Sequence, residues 1–455
     1  MALHVSRPPA APTSTAEIPA LLLAYAAMAF GVGLTHGHFS PGAIVLIGVA
    51  AVGLLSAARL RLPEKNRAST PAFALPLETL LAATLVVFLV LGTLDAPGYY
   101  LESARYRPAC ATIQLGLALA VGVTLLRRGS ATRFPAGIFF AGAVAGFALR
   151  VAMIPASPAP RIDVFTQFQE SAAHLLHGLN PYATRVSDPY AGKIDYGYHV
   201  TGYAYPPANL YPHTLAYFLL GDIRYACVAF EIVAMACLYA LVPSSRQPAA
   251  RLLVLLFLFH PRGLFVIEQA WTEPLLVGAA GVFVWLAARR PHSRWLAVAF
   301  GFFLSLKQYL VFFAILFLAR PKRWRLVFPV AAVVLLTWLP FLLWDARSAI
   351  ENGLLFQFRT PFRPDGLTLS SVAFRWFGYE PTKWVAIGVG SLVTGIAGRK
   401  FRDAGLGGYL YASLIATLSA FLVGSQAFCN YYYFLGALVL FLIALRLREE
   451  EPDAA

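Results

Sequence analysis

Long apolar runs alternate with short turns of charged residues from one end of the chain to the other. Stretches such as 75–94, 134–154, 326–344 and 431–447 approach or reach the roughly 20 apolar residues that cross a ~30 Å hydrocarbon core. A windowed hydropathy reading finds about fourteen such segments. They are continuous in Leu, Ala, Val and Phe and lack the alternation of barrel strands, so the spans are expected to be helical. The first five begin near residues 19, 41, 75, 109 and 134. The stretch before Pro19 is polar and Pro-rich, and the long apolar segment after it reads as an uncleaved first span. Further segments follow at 205–220, 225–242, 249–268 and 271–288. The stretch 295–319 lies between basic turns and is too short for two full spans, which predicts two half-helices meeting near Lys307.

The basic turns set an orientation. Arg59, Arg61, Lys65 and Arg67 mark one cytoplasmic loop, Arg127, Arg128 and Arg133 a second, Lys322, Arg323 and Arg325 a third, and Arg399, Lys400 and Arg402 a fourth. With the N-terminus inside, the first five spans alternate correctly and put residues 155–204 on the non-cytoplasmic face. All four segments between 205 and 288 crossing would carry Arg289, Arg290 and Arg294 outside, so one of the four is expected not to span. The division that follows is a cytoplasmic tail 1–18, spans 19–154, an outer loop 155–204, spans and half-helices 205–447 with a second outer loop 345–366, and an acidic tail 448–455. The expected architecture is all-α, with about 11–14 transmembrane or re-entrant helices.

The one large polar insertion has a pattern of its own. Phe165, Phe168, Ala172, Leu175 and Leu176 recur at helical spacing, which predicts an amphipathic helix starting at Asp163. Asp163 suits its N-cap, Gly178 its left-handed C-cap, and Pro181 prevents continuation. The helix is expected to lie in the membrane interface with Gln167, Glu170, Ser171 and His174 turned to water. Tyr182, Tyr190, Tyr196, Tyr198, Tyr203 and Tyr205 follow it, then Pro206-Pro207. Tyrosines suit a headgroup-level belt and also stack on sugar rings. Asp163 therefore has two compatible roles, a structural cap and a base that deprotonates a hydroxyl at the membrane surface.

Composition agrees with the pattern, because 59% of the chain is hydrophobic and only 13% charged, against about 45–50% and about 25% in soluble domains. The net charge of +14 resides in the short turns and gives no basic face for nucleic acid. Cys110, Cys227, Cys237 and Cys429 show no paired spacing, so neither disulfides nor a zinc site are expected. Lys307 stands amid apolar residues, where its charge costs about 2.5–3.5 kcal/mol on insertion scales and calls for an anionic partner. Arg262, Glu268, Gln269 and Glu273 interrupt another apolar stretch. They read as substrate contacts, or as a structural ion pair of Arg262 with Glu268 or Glu273. Arg359 and Arg363 in the second outer loop suit a phosphate clamp, alongside the reading as ordinary surface arginines. Walker loops, dinucleotide turns, Ser-His-Asp order and His/Cys ligand clusters are missing, so the cofactor stays unassigned and a divalent cation stays open.

Four landmarks then stand in order: Asp163 opening the large outer loop, the run Leu176-His177-Gly178-Leu179-Asn180-Pro181-Tyr182, the Tyr205-Pro206-Pro207 approach to the next span, and Leu306-Lys307 before a basic turn. In this order and spacing, over roughly residues 160–325, the chain resembles the GT-C membrane glycosyltransferases, and among them the polyprenyl-phosphate-mannose-dependent mannosyltransferases of family eighty-seven. The resemblance implies a loop helix capping a cavity between spans, Asp163 as general base and Lys307 as a donor-phosphate contact. Tyr182 and Tyr205 would line the sugar site. The chain departs from many relatives in having Val164 rather than a second acidic residue after Asp163. It also has Glu268-Gln269-Ala270-Trp271 where Gly-Gln and a small polar residue are common. The implied activity is inverting transfer of a hexose, mannose by resemblance, from a polyprenyl-phosphate donor to a lipid, glycan or protein hydroxyl on the outer face of a bacterial inner membrane. A transporter or flippase for a lipid-linked or anionic solute, with Lys307, Glu268 and Glu273 along its pathway, is the alternative. Oligomeric state stays unassigned.

Overall fold

The computed structural model describes residues 17–61, 75–128, 134–192, 202–320 and 324–450. Lys65, Arg67, Arg133, Lys322, Arg323, Tyr196, Tyr198, residues 1–16 and residues 451–455 lie outside the described residues. Among those described, no strand forms. The helices are α1 Glu17–Thr35, α2 Pro41–Arg61, α3 Leu77–Leu94, α4 Tyr106–Arg128, α5 Ala136–Ala156, α6 Asp163–Leu176, α7 Pro207–Leu220, α8 Arg224–Leu241, α9 Gln247–Leu258 and α10 Gly263–Glu268. They continue with α11 Glu273–Arg289, α12 Trp295–Leu304, α13 Val311–Leu318, α14 Trp324–Ile350, α15 Phe356–Arg359, α16 Leu369–Phe377, α17 Lys383–Lys400, α18 Gly405–Leu422 and α19 Cys429–Glu450. Nine described segments are long and apolar enough to cross a membrane: α1–α5, α8, the α14–α15 stretch, α18 and α19. The protein is a polytopic helical membrane protein, and α19, buried along almost its whole length against α1, α8, α11 and α18, forms its axis.

Contacts at the helix ends sort the bundle into two ends. At the basic end Arg446 meets Glu17 at 2.9 Å, Arg289 donates to the Ala240 carbonyl at 2.8 Å, and Arg320 donates to the Phe401 carbonyl at 3.2 Å. The opposite end gathers α6, α7, the α10–α11 turn and residues 351–368. Helix α7 does not run between the ends. Its Asn209 amide donates to the Leu306 carbonyl, while the Gln169 side chain of α6 donates to the Gly221 carbonyl just past its last turn at 2.9 Å. Arg224, beginning α8, donates to the Ser157 and Ile154 carbonyls at 2.8 and 3.2 Å, capping the end of α5. Of the four segments between 205 and 288 only α8 is among the nine long and apolar enough to cross, and Arg289, at the end of α11, lies at the basic end.

Two of the remaining passes are broken where the sequence carries polar residues. Helix α9 stops at His260-Pro261-Arg262 and resumes as α10. Helices α12 and α13 leave the basic end and return to it, meeting at Ser305–Leu310, as the half-helix pattern around Lys307 predicts. Residues 345–366, expected as a second outer loop, are largely helical up to Arg359. Asp345 leaves helical geometry, with φ −159° and ψ 91°, and its carboxylate accepts from Ser348 N–H at 3.1 Å and Ser348 O–H at 2.6 Å. It acts as an N-cap that restarts the chain into a π turn at 351–355 and α15.

Helix α6 forms where its periodicity places it, with Val164, Phe168 and Ala172 buried on one stripe. Two expectations about it are corrected. The N-cap is Ile162, and Asp163 is the first helical residue, its carboxylate accepting from the adjacent Val164 N–H at 2.9 Å. Gln167 and Ser171 do not face water but are buried. Burial follows because α6 is covered on more than one side: Tyr182, Tyr203, Leu210 of α7, Ala270 and Phe341 of α14 share its core. Gly178 closes the helix with φ +72°, letting Leu179 N–H return to the His174 carbonyl at 2.9 Å.

Candidate functional site

Lys307 stands in the turn between α12 and α13 with an extended backbone, and its ammonium donates to Thr272 Oγ1 at 2.8 Å and Glu273 Oε1 at 2.9 Å. Tyr309 O–H donates to the same carboxylate oxygen at 3.2 Å. The Tyr205, Tyr309 and Tyr431 rings lie 5.2, 5.9 and 6.0 Å from the ammonium, within cation–π range. Thr272 and Glu273 reach Lys307 because they open α11, where Pro274 suits the first turn. The turn is held from outside by Asn209 on the Leu306 carbonyl and by Gln308, which donates to the Gly353 carbonyl at 2.9 Å. Glu273 Oε2 is buried and has no protein partner.

Asp163 joins this centre through its helix. Phe168 of α6 packs on Tyr205 with ring centroids 4.9 Å apart, and Tyr205 in turn faces Lys307. Tyr182 O–H donates to the Tyr205 carbonyl at 2.7 Å, and Asn352 donates to the Tyr182 carbonyl at 2.8 Å, tying the segment after α6 to residues after α14. The Asp163 N–H donates to the Tyr190 hydroxyl at 3.3 Å. Gln167 and Ser171 follow Asp163 at four-residue steps on one face of α6, with Gln167 Oε1 and Ser171 Oγ buried and unpartnered. Gln167 Oε1, Ser171 Oγ and Glu273 Oε2 are thus buried side-chain acceptors of this region that have no hydrogen-bond partner among the described residues.

The other nominated residues lie elsewhere, and the anticipated pairing of Arg262 with Glu268 or Glu273 is replaced. Arg262 pairs with Asp95 and donates to the Gly33 carbonyl at 2.6 Å. Both Glu268 oxygens accept backbone N–H groups, from Tyr99 at 2.6 Å and Tyr100 at 2.7 Å, and Gln269 donates to Glu268 at 3.0 Å. These two residues clamp the α3–α4 loop, where a Cβ at Gly98 would overlap the Glu268 carboxylate. Arg363 forms a bidentate pair with Asp365 at 2.9 and 2.8 Å and lies 5.0 Å from the Phe428 ring. Arg359 is exposed at the end of α15.

Electrostatics at this end reflect the same pairing. Partial burial works to raise the Asp95 carboxyl, but the Arg262 guanidinium and the Ala96 N–H outweigh it and hold it below the ordinary range. Burial, reinforced by the Arg262 cation, lowers His36 to about 4. Burial lowers Lys383 to about 8, where its ammonium donates to the Gln357 carbonyl and Thr360 hydroxyl at 2.7 and 2.9 Å.

Sequence reading passed over a second buried centre. Arg150 of α5 pairs with Glu231 of α8, which also accepts from Tyr433 O–H, and Arg150 donates to the Gly146 and Leu258 carbonyls at 3.1 and 2.8 Å. The signal was the one that picked out Lys307, a charge inside an apolar helix. A cavity of about 290 Å³ lies on this side of the bundle, lined by Arg150, His260, Arg262 and apolar residues of α1, α3 and α9 rather than by Lys307. All four cysteines are free. Among the described residues no group of three or more His, Cys, Asp or Glu side chains is placed to hold a metal ion. No protein-family model, curated protein or solved structure matches the chain.

Proposed function

We propose that the chain is a GT-C-type membrane glycosyltransferase that moves a hexose, mannose by resemblance, from a polyprenyl-phosphate donor to a hydroxyl of a lipid, glycan or protein acceptor. The observation that carries the reading is the packing of Asp163's own helix, through Phe168, onto the Tyr205 ring beside Lys307. A base and a cation on one ordered assembly suit a reaction in which a hydroxyl loses a proton while a phosphate gains charge. Asp163 takes the acceptor proton, and the acceptor oxygen bonds to the anomeric carbon as its bond to the phosphate oxygen breaks on the opposite face. Inversion results, and the polyprenyl phosphate leaves with the electron pair.

Charge balance refines the role of Lys307. Glu273 neutralises most of its field, so Lys307 serves as a directed N–H donor to the leaving phosphate. The active face is the end opposite the arginine-rich turns, in a bacterial inner membrane.

The test is Asp163→Asn in purified protein supplied with a panel of radiolabelled polyprenyl-phosphate sugars and membrane acceptors. Transfer should fall by about 10²–10⁴-fold, the usual contribution of a general base, with an unchanged unfolding midpoint. Full retained transfer would remove Asp163 from the chemistry. Absence of transfer from every donor, with solute movement in proteoliposomes, would establish the transporter reading instead.

A further inference from the structure

Helices α13 and α17 pack against each other at the basic end of the bundle, and a cleft of about 250 Å³ lies between them. Its apolar walls are Ile315 and Leu316 of α13 against Gly395 and Gly398 of α17, and Arg399 and Arg402 line it as well. The two glycines leave the hollow. A Cβ at Gly395 would meet nothing within 4 Å, and one at Gly398 would meet only Leu316 at 3.2 Å. Arg320, past the end of α13, donates to the Phe401 carbonyl at 3.2 Å and lies 5.3 Å from the Tyr409 ring, tying the two helices together beside the cleft. The cleft reaches the surface, because Ile315 is 41% exposed within it, and Leu318 on α13 and Leu392 and Ile396 on α17 are exposed apolar side chains. On two helices of a membrane bundle such side chains meet acyl chains rather than water.

Charge distinguishes this cleft from an ordinary gap between helices. Arg399 and Arg402 are both exposed, and among the described residues neither forms an ion pair or a side-chain hydrogen bond, in contrast to Arg446 at the same end, which is matched by Glu17 and Glu449. The one neighbouring hydroxyl, Thr394 Oγ1, is spent on the Gly390 carbonyl at 2.6 Å. The preference for cations on the cytoplasmic side accounts for arginines at this end, but not for two of them bordering a hollow with apolar walls. Guanidinium forks match a phosphate, and the walls match hydrocarbon. A volume below the roughly 300 Å³ of sites that enclose a whole ligand suits one stretch of chain, with the rest of the molecule outside.

We propose that this cleft holds an anionic phospholipid of the leaflet at the basic end, with its phosphate on Arg399 and Arg402 and one acyl chain laid over Gly395 and Gly398 against Ile315 and Leu316. The site is independent of the transfer reaction proposed above.

The full chain in detergent is titrated with phosphatidylglycerol, with phosphatidylcholine of the same acyl chains and with glycerol phosphate, and the adducts are counted by native mass spectrometry. Phosphatidylglycerol should be retained in preference to phosphatidylcholine, and glycerol phosphate should not be retained. Arg399→Gln and Arg402→Gln should each weaken the phosphatidylglycerol adduct about fivefold, and the double variant about thirtyfold, without altering phosphatidylcholine. Both arginines are exposed, so the unfolding midpoint without lipid should not change. Gly395→Leu fills the cleft and should weaken the same adduct about tenfold, the weight of two methylenes, whereas Gly388→Leu, on the same helix with nothing within 4 Å, should leave it intact. Equal retention of the two phospholipids, or a phosphatidylglycerol adduct untouched by the double arginine variant, would overturn the site. An adduct weakened by the arginine changes but not by Gly395→Leu would overturn the place of the chain. Glycerol phosphate held with the same arginine dependence would put a soluble anion there instead of a lipid.

Discussion

Lys307 and Glu273 are each tolerable only because the other is there. The carboxylate is fully buried and the ammonium nearly so, and both are ringed by aromatic side chains. Removing one member of such a pair leaves a charge without compensation, at a cost of about 3–5 kcal/mol, whereas replacing both with apolar side chains is often neutral. Glu273→Leu should therefore lower the thermal unfolding midpoint in detergent sharply. The Lys307→Met/Glu273→Leu double variant should recover most of the loss while remaining inactive in transfer. Equal melting of the single and double variants would show that the pair is not coupled. The need for a partner at Lys307 was legible in the sequence, because one charge among apolar residues requires it. Which carboxylate supplied it was not. Glu268 and Glu273 lie five positions apart in the chain, and their fates separate only when the α3–α4 loop presents two N–H groups to one of them.

At the scale of elements, α6 shows both what periodicity specifies and where it stops. Its length and its Gly178 terminator follow from local rules that need no tertiary contact. Its wet and dry faces do not, because the tyrosine segment and α14 cover polar positions that helical spacing alone assigns to solvent. Gly178 offers a clean test of the local part. A Cβ there would touch nothing within 4 Å, so only the left-handed backbone at φ +72° opposes substitution. Gly178→Ala should cost about 1 kcal/mol and Gly178→Asn less, since Asn tolerates that conformation. Unfolding midpoints and the rate of proteolysis at the exposed Arg185 in the loop it terminates should follow that order. The α1–α2 turn gives a second element-level expectation. His36 titrates near 4 rather than its ordinary 6.5 because of burial and the Arg262 cation, with Asp95 opposing and His38 adding to the shift. Between those values the unfolded chain takes up a proton that the folded chain refuses, so stability present above pH about 6.5 is lost as pH falls toward 4. The midpoint should drop from pH 7 to pH 5, and His36→Gln should flatten that slope.

For the whole molecule, the count of apolar runs and the arithmetic of basic turns together resolved most of the bundle. They required one non-crossing segment between 205 and 288, and α7, 14 residues long and bonded to α6 and to the Lys307 turn, is not among the nine segments long and apolar enough to cross. They could not locate it, because α7 is as apolar as its neighbours and is held down by polar contacts to α6 and the Lys307 turn. The same arithmetic gives an expected sidedness, on which the proposed reaction depends and which is directly measurable. Arg185, in the loop after α6, and Arg294, between α11 and α12, are both exposed and sit at opposite ends of the bundle. Three of the native cysteines are buried and Cys237 lies partly buried within the α8 span, so a membrane-impermeant maleimide finds little background. In sealed inside-out vesicles Arg294→Cys should react and Arg185→Cys should not, with the order reversed in right-side-out preparations. Labelling of Arg185→Cys from the cytoplasmic side would place Asp163 among soluble nucleotide sugars and remove the physical reason for a lipid-linked donor.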